Sequence, residues 1–447
     1  MRRLIAALIV LAAASCAGPS GGSAPPIPLP AEGGPSLEEK AALFERGLDA
    51  FHLLPWGALA YHVRLPEGPD GPVRYEYASD TVAWTGALLG AEAERWAAKH
   101  DPAALDRVRT VLGGLATLSA VTGERGLWAR FACPKGFIAG EPHPERWHRG
   151  GSGYADWRWR GDVSKDQMAG LVYGLGAVVD LVEEPGSRAR AARLLGDLAD
   201  RVLGRDAAME EARGVPTTYG DISPRVVGLP VGVNAAIAVG LADAAARGTG
   251  ERRHRRFLEE LVAAGASESL RFPTVRLLGK ENWNNANMTA MALASILRSP
   301  PPEEDACRLR IRRDAESSLR RILDLHRGEG NAFWIAVAAP AGEAAGATAR
   351  DLADARAQLL RFPTDLRVRR IDHSGLKDLS RSFWNSKGGR TQFLLPLPVD
   401  AMGANAFAWK SNPYEVVPEP ADDPRTIYSG VDFLAAFWPL RRLGAAR

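Results

Sequence analysis

The chain has 447 residues, 46% of them hydrophobic and 24% charged, with a formal net charge of +3. That length holds one large single-core fold or up to three domains, and an ordinary apolar share with little net charge excludes disorder over most of it. Acids nearly balance bases and no basic run stands out, so a nucleic-acid partner has no electrostatic footprint here.

Arg2 and Arg3 precede an apolar run from Leu4 to Ala14, and Ala13-Ala14-Ser15-Cys16 follows. The run suits a signal peptide and is too short to span a bilayer comfortably. Small residues before a cysteine resemble a bacterial lipoprotein box, which implies cleavage before Cys16 and acylation of its thiol. Residues 1–15 are thus expected to be a signal peptide, 16–35 a Gly-, Pro- and Ser-rich tether, and 36–447 a single domain. The residue after Cys16 is Ala17, so nothing argues for inner-membrane retention, and the expected location is the outer membrane or a periplasm-facing surface. Acyl chains would be the only membrane attachment. Cys133 and Cys307 read as two buried free thiols ahead of a disulfide.

Beyond the tether nearly every periodic segment is helical. Ser36 with Glu39 forms a capping-box pattern and opens a helix to about Leu54. Ser79 is expected to cap a second, to about His100. Asp101-Pro102 opens a third, ending at Gly123. Ser164 opens a fourth to about Leu181, and Glu184-Pro185 a fifth to Leu203. Seven more are read at about 230–247, 250–265, 283–298, 302–326, 329–339, 345–361 and 430–443. Strand signals are confined to Val73–Tyr77 and to Thr391–Val399, the latter broken by Pro396 and Pro398. Short links force antiparallel neighbours, so the expected fold is all-α: an (α/α)6 toroid of six helical hairpins. An open solenoid is the alternative, and it normally shows an internal repeat, which this chain lacks. Four long stretches, 55–78, 123–163, 204–229 and 362–429, hold much of the aromatic and polar chemistry. That distribution points to a concave site at one face.

Five constellations could carry chemistry. Around Gly161-Asp162-Val163-Ser164-Lys165-Asp166-Gln167, two carboxylates flank a helix start, where the dipole favours their ionised forms. Tyr154, Trp157 and Trp159 beside them offer faces for stacking on sugar rings. Asp80 lies at another helix start with Trp84 one turn on. Asp80 paired with Asp162 or Asp166 across a barrel mouth would supply the two carboxylates that glycosidic cleavage usually needs. Each of the three is also an ordinary helix-start residue. Tyr219 and Asp221, and Trp283 with Asn285 in the Glu281–Asn287 block, could bond sugar hydroxyls; amides at this density could also offer oxygens to Ca²⁺, although nothing requires it. Asp372-His373-Ser374 is too compressed for triad geometry and no nucleophile elbow appears. His143 and His148 lack a third zinc ligand, and no metal or other cofactor is expected.

The segment order resembles the six-hairpin glycosidase-like toroids, and more narrowly an uncharacterised group of bacterial secreted proteins. The resemblance rests on Asp80-x-x-x-Trp84-Thr85-Gly86, Thr122-Gly-x-x-Gly-x-x-Ala-Arg130, Gly161-Asp-x-Ser-x-Asp-Gln167, Trp409-x-x-Asn412-Pro413-Tyr414 and Gly430-x-Asp432-Phe433-Leu434. It covers roughly 36–443 and implies carbohydrate chemistry by analogy of fold alone. The resulting expectation is a monomeric glycoside hydrolase or polysaccharide lyase acting on an extracytoplasmic oligosaccharide. Asp162, Asp166 and Asp80 would be its acid/base residues. Trp84, Arg130, Tyr154, Trp157, Trp159, Gln167, Tyr219, Asp221, Trp283 and Asn285 would bind substrate, with Arg130 on a uronate or sulfate. The alternative is a lipoprotein that binds a glycan or envelope partner without catalysis.

Overall fold

An Asp, Ser or Glu just before the first helical position, followed by Pro at two of three, fixes the start of three successive helices. Asp101 accepts from the Ala103 N–H to start one helix, Ser164 and Gln167 close a capping box at another, and Glu184 accepts from the Ser187 N–H before Pro185 at a third. In the computed structural model these starts lead into α3 (Pro102–Ala120), α4 (Lys165–Leu181) and α5 (Pro185–Val202). The structure describes residues 27, 29, 33–68, 72–205, 207–226, 228–273, 282–373, 379–382, 390–416 and 422–446. The signal peptide, Cys16, most of the tether, Glu281 and Ser374 lie outside the described residues.

The remaining helices are α1 (Leu37–Gly47), α2 (Thr81–Lys99), α6 (Gly232–Thr249), α7 (Arg252–Ala263), α8 (Trp283–Arg298), α9 (Ala306–His326), α10 (Ala332–Ala338), α11 (Ala349–Arg361) and α12 (Val431–Arg442). A single helical turn, Ala266–Ser269, follows α7. The even-numbered helices are buried along almost their whole length and pack in sequence, α2 on α4, α4 on α6, α6 on α8, α8 on α10, α10 on α12, and α12 back on α2. The odd-numbered helices lie outside them, each showing a polar face. This closed double ring is the (α/α)6 toroid.

Small residues set the tightest seam of the inner ring. A Cβ on Gly86 of α2 would stand 2.2 Å from the Gly170 carbonyl oxygen of α4, and one on Gly174 2.2 Å from that of Gly86. The two backbones are therefore in direct contact, which only glycine permits.

The inner helices run parallel, so their C-termini gather at one end. There the links to the outer ring are short, and buried charges are paired. Asp180 accepts from Arg247 and Ser295, with Arg298 3.5 Å away; Glu94 faces Arg298 at 3.6 Å and pairs with Arg442; Asp243 meets Arg247 and Arg308, both at 2.8 Å. Arginines suit the negative ends of these helix dipoles.

The long loops converge at the opposite end, and they are more structured than the sequence suggests. Phe131–Pro134, Trp157–Arg160 and Trp147–Arg149 form an antiparallel sheet with Trp157–Arg160 in the middle. His62–Arg64, Asp423–Tyr428 and Arg367–Val368 form another, which ties loops hundreds of residues apart. Of the two expected strands, Val73–Tyr77 contributes a single bridge, Arg74 to Arg64, and the later one is confined to Arg390–Phe393. Helix α1 stops at Gly47 and passes into one π-helical turn, Leu48–His52. At α2 the cap position falls on Asp80 and not Ser79, with no side-chain capping bond: the Asp80 carboxylate accepts from Arg130 and Gln167, and the Ser79 hydroxyl faces Tyr61 at 3.4 Å. Cys133 and Cys307 are both free, and Cys307 is only partly buried. Among the described residues no helix is long and apolar enough to cross a membrane.

Candidate active site

Every inner helix begins, at the loop-bearing end, with an Asp or Asn in or just before its first turn: Asp80, Asp166, Asn234, Asn284, Asn331 and Asp432. Those residue types compete well for the unpaired N–H groups of a helix start. Parallel packing brings all six to one mouth.

Asp80 and Asp166 lie on the neighbouring helices α2 and α4, whose glycine seam holds them close. Asp80 Oδ1 accepts from Arg130 Nη2 and from Gln167 Nε2, both at 2.8 Å. Gln167 directly follows Asp166, so one amide ties the two acids to a common frame. Asp166 Oδ2 accepts from Asn284 Nδ2 of α8 at 3.3 Å. Among the described residues no donor reaches Asp80 Oδ2 or Asp166 Oδ1, which leaves one oxygen of each for a ligand or water. Burial pushes the Asp166 carboxyl above the usual Asp range and the neighbouring Asp80 charge adds to the rise; Lys410, the Asn284 bond and Arg130 oppose it without cancelling it. The helix dipole alone would have lowered it. Burial wins.

Asp162 differs. It holds a left-handed backbone, φ +62°, costly for a residue with a Cβ. Its carbonyl accepts from Arg130 Nη1 at 2.9 Å and its Oδ1 from the Thr218 N–H at 2.8 Å, while Arg146 Nη1 stands 3.9 Å away. Burial pushes this carboxyl up too, but the Thr218 bonds and the Arg146 and Arg130 charges outweigh it and hold it below the usual range. Asp162 therefore pins the loop 204–229 to the sheet and has no share in the Asp80–Asp166 pair.

The binding residues read from the sequence separate in the same way. Arg130 donates to Asp80, the Ser79 carbonyl and the Asp162 carbonyl, so it frames the site. Gln167 is fully buried between Ser164 and Asp80. Trp84 and Trp159 are each 2% exposed. Trp84 stacks on Phe407 with centroids 4.9 Å apart, and Trp159 donates to the Arg149 carbonyl inside the sheet, so neither offers the open stacking face expected of it. Trp157 and Tyr154 pack edge-to-face with each other, and Trp157 also against Trp56. Tyr219 is 68% exposed on the loop surface. Asp221 is exposed and bonds the Ser223 N–H. Trp283 stays half-open at the mouth, its indole N–H donating to Glu329 at 2.9 Å and its ring 6.2 Å from Tyr414. Asn285 is partly exposed, its N–H given to the Asn282 cap.

Sequence reasoning missed Lys410, Asn284 and Glu329. Asn284 stands beside the chosen Asn285, and helix register decides between them: the second residue of α8 faces α4. Lys410 sits in a segment with no hydrophobic period, and Glu329 stands at the first position of the helix read at 329–339, where an acid is an ordinary helix-start residue. His143 and His148 make no metal centre; His148 faces Glu211 at 3.8 Å, and among the described residues no group of three or more His, Cys, Asp or Glu could hold a metal ion.

No family model matches this chain, and no curated protein matches it significantly. Solved structures with a similar chain trace include a Bacteroides ovatus GH9 protein, at 12% identity and a TM-score of 0.44 over 91% of this chain and 83% of that one. A family 76 glycoside hydrolase from a bovine Bacteroides thetaiotaomicron strain is similar at 10% identity and 0.47, over 92% of this chain and 78% of that one. Cellobiose 2-epimerase from Spirochaeta thermophila is similar at 14% identity and 0.42, over 91% and 97%. Similarity this distant bears on neither substrate nor reaction.

Proposed function

We propose that this chain is a carbohydrate-active hydrolase in which Asp166 acts as general acid and Asp80 as its ionised partner. The carrying observation is the juxtaposition of two carboxyl groups with opposed surroundings. One is raised by burial and further by its neighbour's charge; the other accepts from a guanidinium and an amide. Unequal environments are how one site holds an acid and a carboxylate at the same pH. In the reaction Asp166 delivers its proton to the glycosidic oxygen as the C–O bond breaks, and Asp80 Oδ2 takes a proton from the attacking water or itself bonds the anomeric carbon. Asn284 and Gln167 hold the two acids in place. Asp162, expected as a third acid/base residue, is read as a loop anchor. In this proposal the protein works outside the cytoplasm, tethered through an acylated Cys16.

The test is product chromatography on an oligosaccharide panel. Wild type should release products, Asp166→Asn should lose about 10²–10⁴-fold in rate, and Asp162→Asn should keep most of its activity. Glycan binding by wild type with no product would instead favour a non-catalytic binding lipoprotein.

A further inference from the structure

Three cations near the acid pair are met by protein acceptors among the described residues. Arg130 bonds Asp80 and two carbonyls; Arg146 bonds Glu211 at 2.6 Å; Lys165 donates to Asn234 Oδ1 at 2.9 Å. Lys410 has none of these. Its ammonium stands 4.8 Å from the centre of the Trp84 ring, and among the described residues no carboxylate or carbonyl lies within bonding distance of it. Trp84 is one helical turn beyond Asp80, so this cation is at the carboxylate pair.

Its position is built from behind. The Ala408 N–H donates to Asp432 Oδ2 at 3.0 Å, the Trp409 indole to the Asp432 carbonyl at 2.8 Å, and Asn331 Nδ2 to the Trp409 carbonyl at 2.8 Å. Two inner helices, α10 and α12, thus fix the turn Ala408–Lys410. Phe407 closes the other side of Trp84. A half-buried ammonium held over an aromatic face, whose charge reaches Asp166 but which makes no direct ion pair among the described residues, has donors left for a ligand that brings an anion. A neutral ligand would strip water from the ammonium and give nothing back.

We propose that Lys410 is a specificity residue and that the site takes a sugar bearing an anionic substituent, a carboxylate or a sulfate, beside the Asp80–Asp166 pair. The inference deepens the hydrolase reading in naming a substrate class, and its test does not depend on turnover. Binding would be measured by calorimetry on full-length Asp166→Asn protein against three sets of oligosaccharides: galacturonate-, glucuronate- or mannuronate-containing, sulfated, and carboxyl-reduced neutral counterparts. At least one acidic set should bind about tenfold or more tightly than its neutral counterpart. Lys410→Met should remove that preference, weakening acidic binding and not neutral binding, and Lys410→Arg should restore it. The two acidic sets distinguish a carboxylate from a sulfate. Equal affinity for acidic and neutral sugars, an unaltered preference in Lys410→Met, or no acidic binding at all would overturn it. Melting curves of the Met and Arg variants separate a lost contact from a lost fold. Acidic binding without Asp166-dependent turnover would sink the hydrolase reading and leave this one standing.

Discussion

Replacing Gly86 by alanine tests whether the α2–α4 seam sets the spacing of the two acids. The added Cβ would lie 2.2 Å from the Gly170 carbonyl oxygen and 2.5 Å from its carbon, where ordinary contact begins near 3.4 Å. Both obstacles are backbone, so no side chain can swing aside and the helices must part by about 1 Å. Overpacking of this kind costs about 1–3 kcal/mol, and a backbone clash belongs at the upper end. Unfolding entropy near 2.1 cal/mol/K per residue gives roughly 0.8 kcal/mol/K for a ring of about 400 residues, so about 3 kcal/mol lowers Tm by about 3–4 °C. Because α2 carries Asp80 and α4 carries Asp166, a shift of about 1 Å should also cost about 10²-fold in kcat/KM. Calorimetry gives the first number and initial rates the second. Gly113→Ala is the control: it sits in outer α3 with nothing within 4 Å of the added Cβ, and helix propensity makes it neutral or stabilising by about 0.5–1 kcal/mol. A Gly86→Ala protein as stable and active as Gly113→Ala would refute the seam's role.

Three further outcomes are expected. Asp180→Ala takes from Arg247 and Arg298 one of the two acids that each faces, so urea unfolding should show a loss of about 1.5–3 kcal/mol, less than for a fully unpaired buried charge; a change below about 1 kcal/mol would contradict the buried ion-pair ring. Lys410→Met removes a cation that opposes the rise at Asp166, so the alkaline limb of the rate profile should move to higher pH, and movement to lower pH would count against the proton assignment. Burial pushes the Asp432 carboxyl up to about 7. A raised acid favours the fold fully below its unfolded value near 4, and that contribution is lost as pH climbs toward 7. Glu92, also pushed up to about 7 by burial, acts with the same sign. Wild-type stability should therefore decline across that window, and Asp432→Asn should flatten the decline; an unchanged slope would show that Asp432 does not contribute.

What could be read from the sequence was local. The Asp101-Pro102 start, the Ser36–Glu39 box and the 283–298 span are set by neighbours within one turn, and the structure repeats them. The ring followed from short links on one side and long loops on the other. What could not be read depends on partners far along the chain. Arg130 reaches Asp80 and Asp162 across 50 and 32 positions, so a residue expected to greet substrate turns out to brace the site. Trp84 and Trp159 fit the composition of a sugar site, but composition cannot tell an indole facing solvent from one closed by Phe407 or by a sheet. Lys410 stands in a loop without periodicity, and only the fold brings it to Trp84. Asp80 and Asp166 lay among three candidates. The third, Asp162, has a left-handed backbone and is tied to Thr218, which spacing alone does not reveal.

The most direct test needs no substrate: a ¹³C-carboxyl NMR titration of Asp166 in the wild type and in Asp80→Asn protein. Coupled acids at the mouth require Asp166 to titrate above the ordinary aspartate range, and to fall back toward it when its neighbour loses its charge. An ordinary titration in the wild type, or a raised one that ignores the Asp80 substitution, would contradict the pairing.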